Sequence, residues 1–273
     1  MEIIITAGAA STRIDGTMRI TGPDPGAYPS ILAAHLSDRL GDRVGTIYYV
    51  RTPDTPRLTQ SRDATAYRKA EIVDIVTPTA ESMLRNIKNL VSDPEKSVRA
   101  VIHLAGVPSY ACGGIADARG LSQKIWDEVQ AGKTESRNDV SDVITAPSAF
   151  KAPGSELRPG QDSLLMRLQP VENMLARIRA CDRDLAIIGI EETGGVERDA
   201  LVSVAAKMCA DTGADYIIAA DARTGCALVS SAGSVVDGDS KFSPVFMNEI
   251  AGVLKTSNTS PAPSKNRRKK KRS

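Results

Sequence analysis

Runs of aliphatic and β-branched residues alternate along this chain with stretches whose apolar residues recur at helical spacing. Ile3, Ile4 and Ile5 open it with the pattern of a buried strand. Over 30–40 (SILAAHLSDRL), Ile31, Leu32, His35, Leu36 and Leu40 fall on one helical stripe, and Gly41 predicts its stop. Further strands are predicted at 44–50 (VGTIYYV), 70–77 (AEIVDIVT) and 98–105 (VRAVIHLA). A polar, proline-bearing loop is expected at 51–69, and an amphipathic helix at 79–91 with Thr79 as its cap.

Beyond residue 110 the rhythm breaks. Residues 111–149 are polar and hold the single tryptophan, Trp126, with a helix predicted at 121–130. A stretch this long reads as a lid-like excursion over the sheet edge, and a mobile surface insertion is the alternative. The alternation then resumes, with a short strand at 164–168, a helix at 171–179 and the strongest buried-strand signal at 185–190 (LAIIGI). A helix at 197–212 stops at Gly213, a strand at 216–220 closes on Asp221, a hairpin strand is expected at 227–236, and a last helix at 243–254. Strands alternating with helices predict an α/β fold: a Rossmann-like, mostly parallel sheet with helices on both faces. It is expected as one domain over 1–256, followed by a disordered basic tail at 257–273.

Composition refines this picture in three places. Aromatics make up 4% of 273 residues, so the core must rest on Ile, Val, Leu and Ala, which suits strands covered by helices. The formal charge of +2 is set by the tail, where Lys265, Arg267, Arg268, Lys269, Lys270, Lys271 and Arg272 stand without an acid. The remaining body is net negative, which argues against nucleic-acid binding except through that tail. Cys112, Cys181, Cys209 and Cys226 are widely spaced, so no zinc site is expected and a reduced, cytoplasmic setting is. No apolar run reaches the roughly 18 residues of a membrane helix, and Met1-Glu2 leads into no signal-like segment.

Ligands of parallel sheets gather at the carboxyl ends of the strands, and three loops compete for that edge: 6–26, 105–114 and the one after Ile190. The first has small residues from Thr6 to Ser11 and a turn-rich stretch from Thr21 to Gly26, suited to close backbone approach, although neither G-x-G-x-x-G nor G-x-x-x-x-G-K-[ST] occurs. Glu191-Glu192 reads as an acid/base pair or a solvated loop edge. His103 lies within a buried strand and His35 on an apolar stripe. Asp15 and Asp221 suit ribose contacts or turn roles, and Cys112 beside Gly113-Gly114 has no histidine nearby to activate it.

Several of these pieces together resemble phosphopantothenate–cysteine ligases. Ile4-Ile5-Thr6-Ala7-Gly8 resembles that family's opening strand and turn, Ile14-Asp15 through Ile20-Thr21-Gly22 its I-D…I-T-N segment, and Gly26 its S-S/T-G glycine. Val101-Ile102-His103-Leu104-Ala105-Gly106-Val107-Pro108-Ser109-Tyr110 is similar to its V-I-H/G…A-V-A/S-D-Y strand and loop. Ile187-Ile188-Gly189-Ile190 stands for I-G-F, and residues 214–221 (ADYIIAAD) for A-D-L-I-I-A-N-D.

The resemblance implies that phosphopantothenate's carboxylate attacks the α-phosphate of CTP or ATP. The cysteine amine then captures the acyl-nucleotide, with Mg²⁺ on the phosphates and a homodimer as the working form. It places Gly8, Ala105, Lys151, Ile190 and Lys207 at the nucleotide, and Arg19, Gly22 and Gly106 at the substrate. Lys151 and Gly22 would also take part in catalysis, and a solvated surface lysine stays the alternative for Lys151 and Lys207. The sequence departs from the family at Gly22, Ser109 and Ala220, where the family has Asn, Asp and Asn, and at Asp211 and Ile190, where it has Lys and Phe. An inactive relative acting as a ligand-binding or partner protein, and an unrelated Rossmann-like reductase, are the alternatives.

Overall fold

The computed structural model describes residues 1–14, 18–58, 70–151, 163–241 and 243–257. Its centre is β1 (Glu2–Ala7), buried from Ile3 onward and paired in parallel with β4 (Thr46–Arg51) on one side and β6 (Val98–His103) on the other. Outside β4 lies β5 (Glu71–Val76), and outside β6 lie β9 (Ala186–Thr193) and β10 (Tyr216–Asp221), all parallel. Two antiparallel strands, β11 (Gly225–Ser230) and β12 (Val235–Gly238), complete an eight-stranded sheet of order β12-β11-β10-β9-β6-β1-β4-β5.

The strand period of two sorts side chains to opposite faces. Ile3, Ile5, Ile47, Ile102, Ile188 and Ile218 meet α1 (Tyr28–Leu40) and α7 (Pro244–Ser257). Ile4, Val50, Val101, Ile187 and Ile217 meet α2 (Ala80–Ser92), α5 (Met174–Arg179) and α6 (Arg198–Thr212). The sheet is therefore covered by helices on both faces, as the alternating pattern predicts.

Local signals explain several boundaries. Thr79 accepts from the Ser82 backbone while the Ser82 hydroxyl accepts from Thr79, a reciprocal cap for α2. Gly213 takes the left-handed conformation that ends α6 and donates to the Cys209 carbonyl. Helix α1 begins at Tyr28, ahead of residue 30, because Pro29 suits a first turn and both residues are buried. The single strand expected at 227–236 is two strands, since Ser231–Ser234 turns the chain, with the Ser234 N–H donating to Ser230 Oγ. Helix α7 runs through Ser257, one residue into the expected tail; residues 258–273, like Asp15 and loop residues 59–69, lie outside the described residues.

The excursion is larger than 111–149. It leaves the sheet as β7 (Tyr110–Asp117), passes through α3 (Ala118–Gln130) and α4 (Arg137–Thr145), and returns as β8 (Leu164–Pro170). The strand expected at 164–168 thus pairs antiparallel with β7 and takes no place in the central sheet. A small hairpin, β2 (Ser11–Arg13) and β3 (Arg19–Thr21), brings Ile14 and Ile20 against Cys112 and Ile115, a satellite core that buries the Cys112 thiol. No helix among the described residues is long and apolar enough to cross a membrane.

Candidate functional site

At the carboxyl ends of β6 and β9 the structure holds a hollow of about 360 Å³. Its floor is the segment from His103 to Ser109, and its sides are Pro23 and Pro25, the turn from Val171 to Leu175, and Ile190 to Glu192. This is the edge where parallel sheets collect ligands.

Thr6 organises the floor from β1. Its hydroxyl oxygen accepts the backbone N–H groups of Leu104 and Ala105, both at 3.0 Å. With both lone pairs engaged, its proton goes to His103 Nδ1 at 2.8 Å. That accounting leaves the imidazole proton on Nε2. Burial pushes His103 down to about 4, so the ring is neutral at physiological pH.

The rim is laced by backbone contact. Ala10 N donates to the Gly106 carbonyl, Gly106 N to Gly8, and Gly22 N to Ala10. Gly22 lies so close to Gly106 that a Cβ on it would stand 2.5 Å from the Gly106 carbonyl carbon and oxygen. A Cβ on Gly106 would likewise strike the Pro23 carbonyl. Small residues are required here for packing of chain against chain.

The electrostatics of this hollow are acidic. Glu172, Glu191 and Glu192 line it, and none of its described lining residues is lysine or arginine. Burial, and then Glu192, raise the Glu191 carboxyl above its usual range. Its neighbour Glu192 forms an ion pair with Lys241.

Glu192 is also on the wall of a second hollow, of about 780 Å³, between the β10–β11 turn and the segment that follows β12. Asp221 fixes that turn. One carboxylate oxygen accepts from Arg223 N (2.8 Å) and Thr224 N (3.2 Å), the other from Thr193 Oγ1 (2.9 Å), Gly195 N (2.6 Å) and Val196 N (3.2 Å). These donors, the Arg223 amide foremost, hold its carboxyl far below the usual range. Of the two roles open to Asp221 in sequence, it fills the turn role.

The residues singled out in sequence are distributed unevenly. Ala105, Gly106 and Ile190 line the first hollow, as does Ser109, while Ala220 lines the second. The Ala105 amide is already committed to Thr6. Gly8 turns its open side to the Thr52 and Thr55 hydroxyls. Arg19 is exposed on β3, opposite Arg13. Lys151 is exposed and paired through its backbone with Ile115 in the excursion. Lys207 is exposed and bound to Asp211 at 2.6 Å, because Leu201, Ala205 and Cys209 claim the inner face of α6. Neither lysine lines either hollow, so the structure does not gather the two ammonium groups at the first one. Sequence reasoning took Thr6 only as part of the opening strand and turn and passed over Glu172, Arg223 and Lys241. Thr6 carried a usable signal, a lone hydroxyl inside an apolar strand; Lys241 carried none, its role arising from a neighbour 49 positions away. Among the described residues no three His, Cys, Asp or Glu side chains gather to hold a metal ion.

No protein-family model and no curated protein sequence matches this chain. Solved structures do. The DNA/pantothenate metabolism flavoprotein from Streptococcus pneumoniae is 18% identical, with a TM-score of 0.62 over 94% of this chain and 98% of that one. The C-terminal domain of the coenzyme A biosynthesis bifunctional protein CoaBC is 15% identical, with a TM-score of 0.57 over 93% of this chain and 96% of that one. A Cab2 mutant in complex with phosphopantothenate-cysteine is 12% identical, also with a TM-score of 0.57, over 94% of this chain and 86% of that one. Across most of its length, this chain therefore has the α/β fold of these pantothenate-metabolism and coenzyme A biosynthesis proteins.

Proposed function

We propose that this protein is an acid–amine ligase that joins 4′-phosphopantothenate to cysteine through a nucleotide-activated acyl intermediate. The observation that carries the proposal is the match of fold to proteins of coenzyme A biosynthesis, one of them holding phosphopantothenate-cysteine. In this reading the substrate carboxylate attacks the α-phosphate of CTP or ATP, breaking the bond to pyrophosphate. The amine then attacks the acyl carbon, the nucleoside monophosphate leaves, and the amine gives up a proton. The acidic lining of the first hollow suits the ammonium form in which the amine substrate arrives. In this proposal Glu191, with its raised carboxyl, takes the ammonium proton to free the lone pair, and the proton lost on amide formation leaves with the nucleoside monophosphate. Mg²⁺ would arrive on the nucleotide phosphates, since it commonly keeps few protein ligands. Ala105, Gly106 and Ile190 remain binding positions in this proposal.

A second copy of the chain is the proposed partner. Leu164, Met166 and Leu168, on one face of β8 by the strand period, are exposed apolar side chains of a two-stranded ribbon outside the central sheet. Such ribbons are marginal without a cover.

One observation favours a second reading, a relative that binds ligands without turning them over. Gly22 has no side chain to hold an intermediate, and its packing against Gly106 leaves no room for one. Incubation with phosphopantothenate, cysteine and CTP or ATP, following pyrophosphate and amide separately, decides between them. Both products are expected. Pyrophosphate alone would locate the loss at Gly22, and neither product would leave the binding role.

A further inference from the structure

We infer that the second hollow binds the phosphate chain of the nucleotide, with Arg223 and Lys241 as its cationic contacts and Lys241 exchanging Glu192 for the anion. The nature of the ligand rests on the ligase reading above; the existence of an anion site does not. A triphosphate needs cations that are close and available. The first hollow offers three carboxylates and a neutral imidazole. The second, of about 780 Å³, is lined by both Arg223 and Lys241, the Arg223 guanidinium lying beside Gly195 at its edge.

Availability distinguishes these cations from the others considered. The Arg223 guanidinium has no ion-pair partner among the described residues, and only its backbone is engaged, by Asp221. Lys241 is held by one carboxylate, Glu192, which stands on the wall shared by the two hollows. An anion entering there would take up that ammonium and leave Glu192 facing the first hollow. The other acids of this wall are Asp221 and Asp239; Asp221 stays charged and is turned to other partners. Asp221 already accepts five hydrogen bonds, which also make the turn bearing Arg223 rigid, and Asp239 is exposed. The Thr224 hydroxyl oxygen, shielded from solvent on the same turn, has no partner among the described residues.

Calorimetric titration of the full chain with inorganic pyrophosphate, then with CTP and ATP, tests the site apart from catalysis. Arg223→Ala and Lys241→Ala should each weaken pyrophosphate about tenfold, the usual loss for one charge-assisted contact. Glu192→Gln, by releasing Lys241, should tighten it, while the surface variant Lys88→Ala should bind as the parent does. Circular dichroism checks that each variant is folded. The inference is overturned if the parent does not bind pyrophosphate, or if Arg223→Ala and Lys241→Ala bind it unchanged. It is also overturned if the loss appears in Lys151→Ala or Lys207→Ala instead. Pyrophosphate binding without product in the turnover assay would remove the ligase reading and leave the anion site standing.

Discussion

At the scale of single residues, Gly22 shows how a position can be constrained by packing and not by chemistry. Resemblance to the ligases suggests that an asparagine at 22 would restore a missing side chain. The structure predicts the opposite for Gly22→Asn, because the new Cβ would meet the backbone of Gly106 and Val107 within 2.7 Å. Backbone cannot rotate aside, so the variant should lose about 1–3 kcal/mol, the usual cost of overpacking, read as a lower denaturation midpoint without added amide formation. His103 gives a second residue-level expectation. Its folded value of about 4 lies below the ordinary 6.5, so the unfolded chain takes up the proton first. Stability is fully present above pH 6.5 and is lost as pH falls toward 4, by about 3 kcal/mol for a shift of that size. His103→Asn should flatten urea-measured stability across that window. Asp221, whose carboxyl is depressed, acts in a lower window: its contribution is present above the ordinary carboxylate value and is lost only in stronger acid.

Secondary-structure elements were the most legible level. The Thr79 cap and the Gly213 stop could be read directly, because each is a local event set by one or two side chains. Thr79→Ala should cost about 1 kcal/mol, as loss of an N-cap does, measurable as a lower thermal midpoint. Buried strands were equally clear, since continuous apolar runs have few alternatives in a chain so poor in aromatics. What escaped was pairing at a distance. Residues 164–168 read correctly as a strand, yet nothing in LLMRL indicates that its partner is β7 and that it stays outside the main sheet. Side-chain direction escaped in the same manner. Loops at the strand ends were identified, and Ala105, Gly106 and Ile190 line the hollow there, but helix phase turns Lys207 outward to Asp211.

For the molecule as a whole, the exposed apolar ribbon carries the main prediction. If two chains meet there, the parent should sediment as a dimer, and Met166→Asp combined with Leu168→Asp should yield monomers with an unchanged far-ultraviolet spectrum. A parent that sediments as a monomer at micromolar concentration would remove that partner. The rest of the architecture concentrates its buried core away from this region, in a sheet sandwiched between helical layers. The excursion begins at Tyr110 and finishes at Pro170, and these two residues face each other across the ribbon. The described residues between them therefore leave and re-enter through one doorway. The appendage thus adds no strand to the central ladder, and a change in its length would be felt first where the β2–β3 hairpin packs on it.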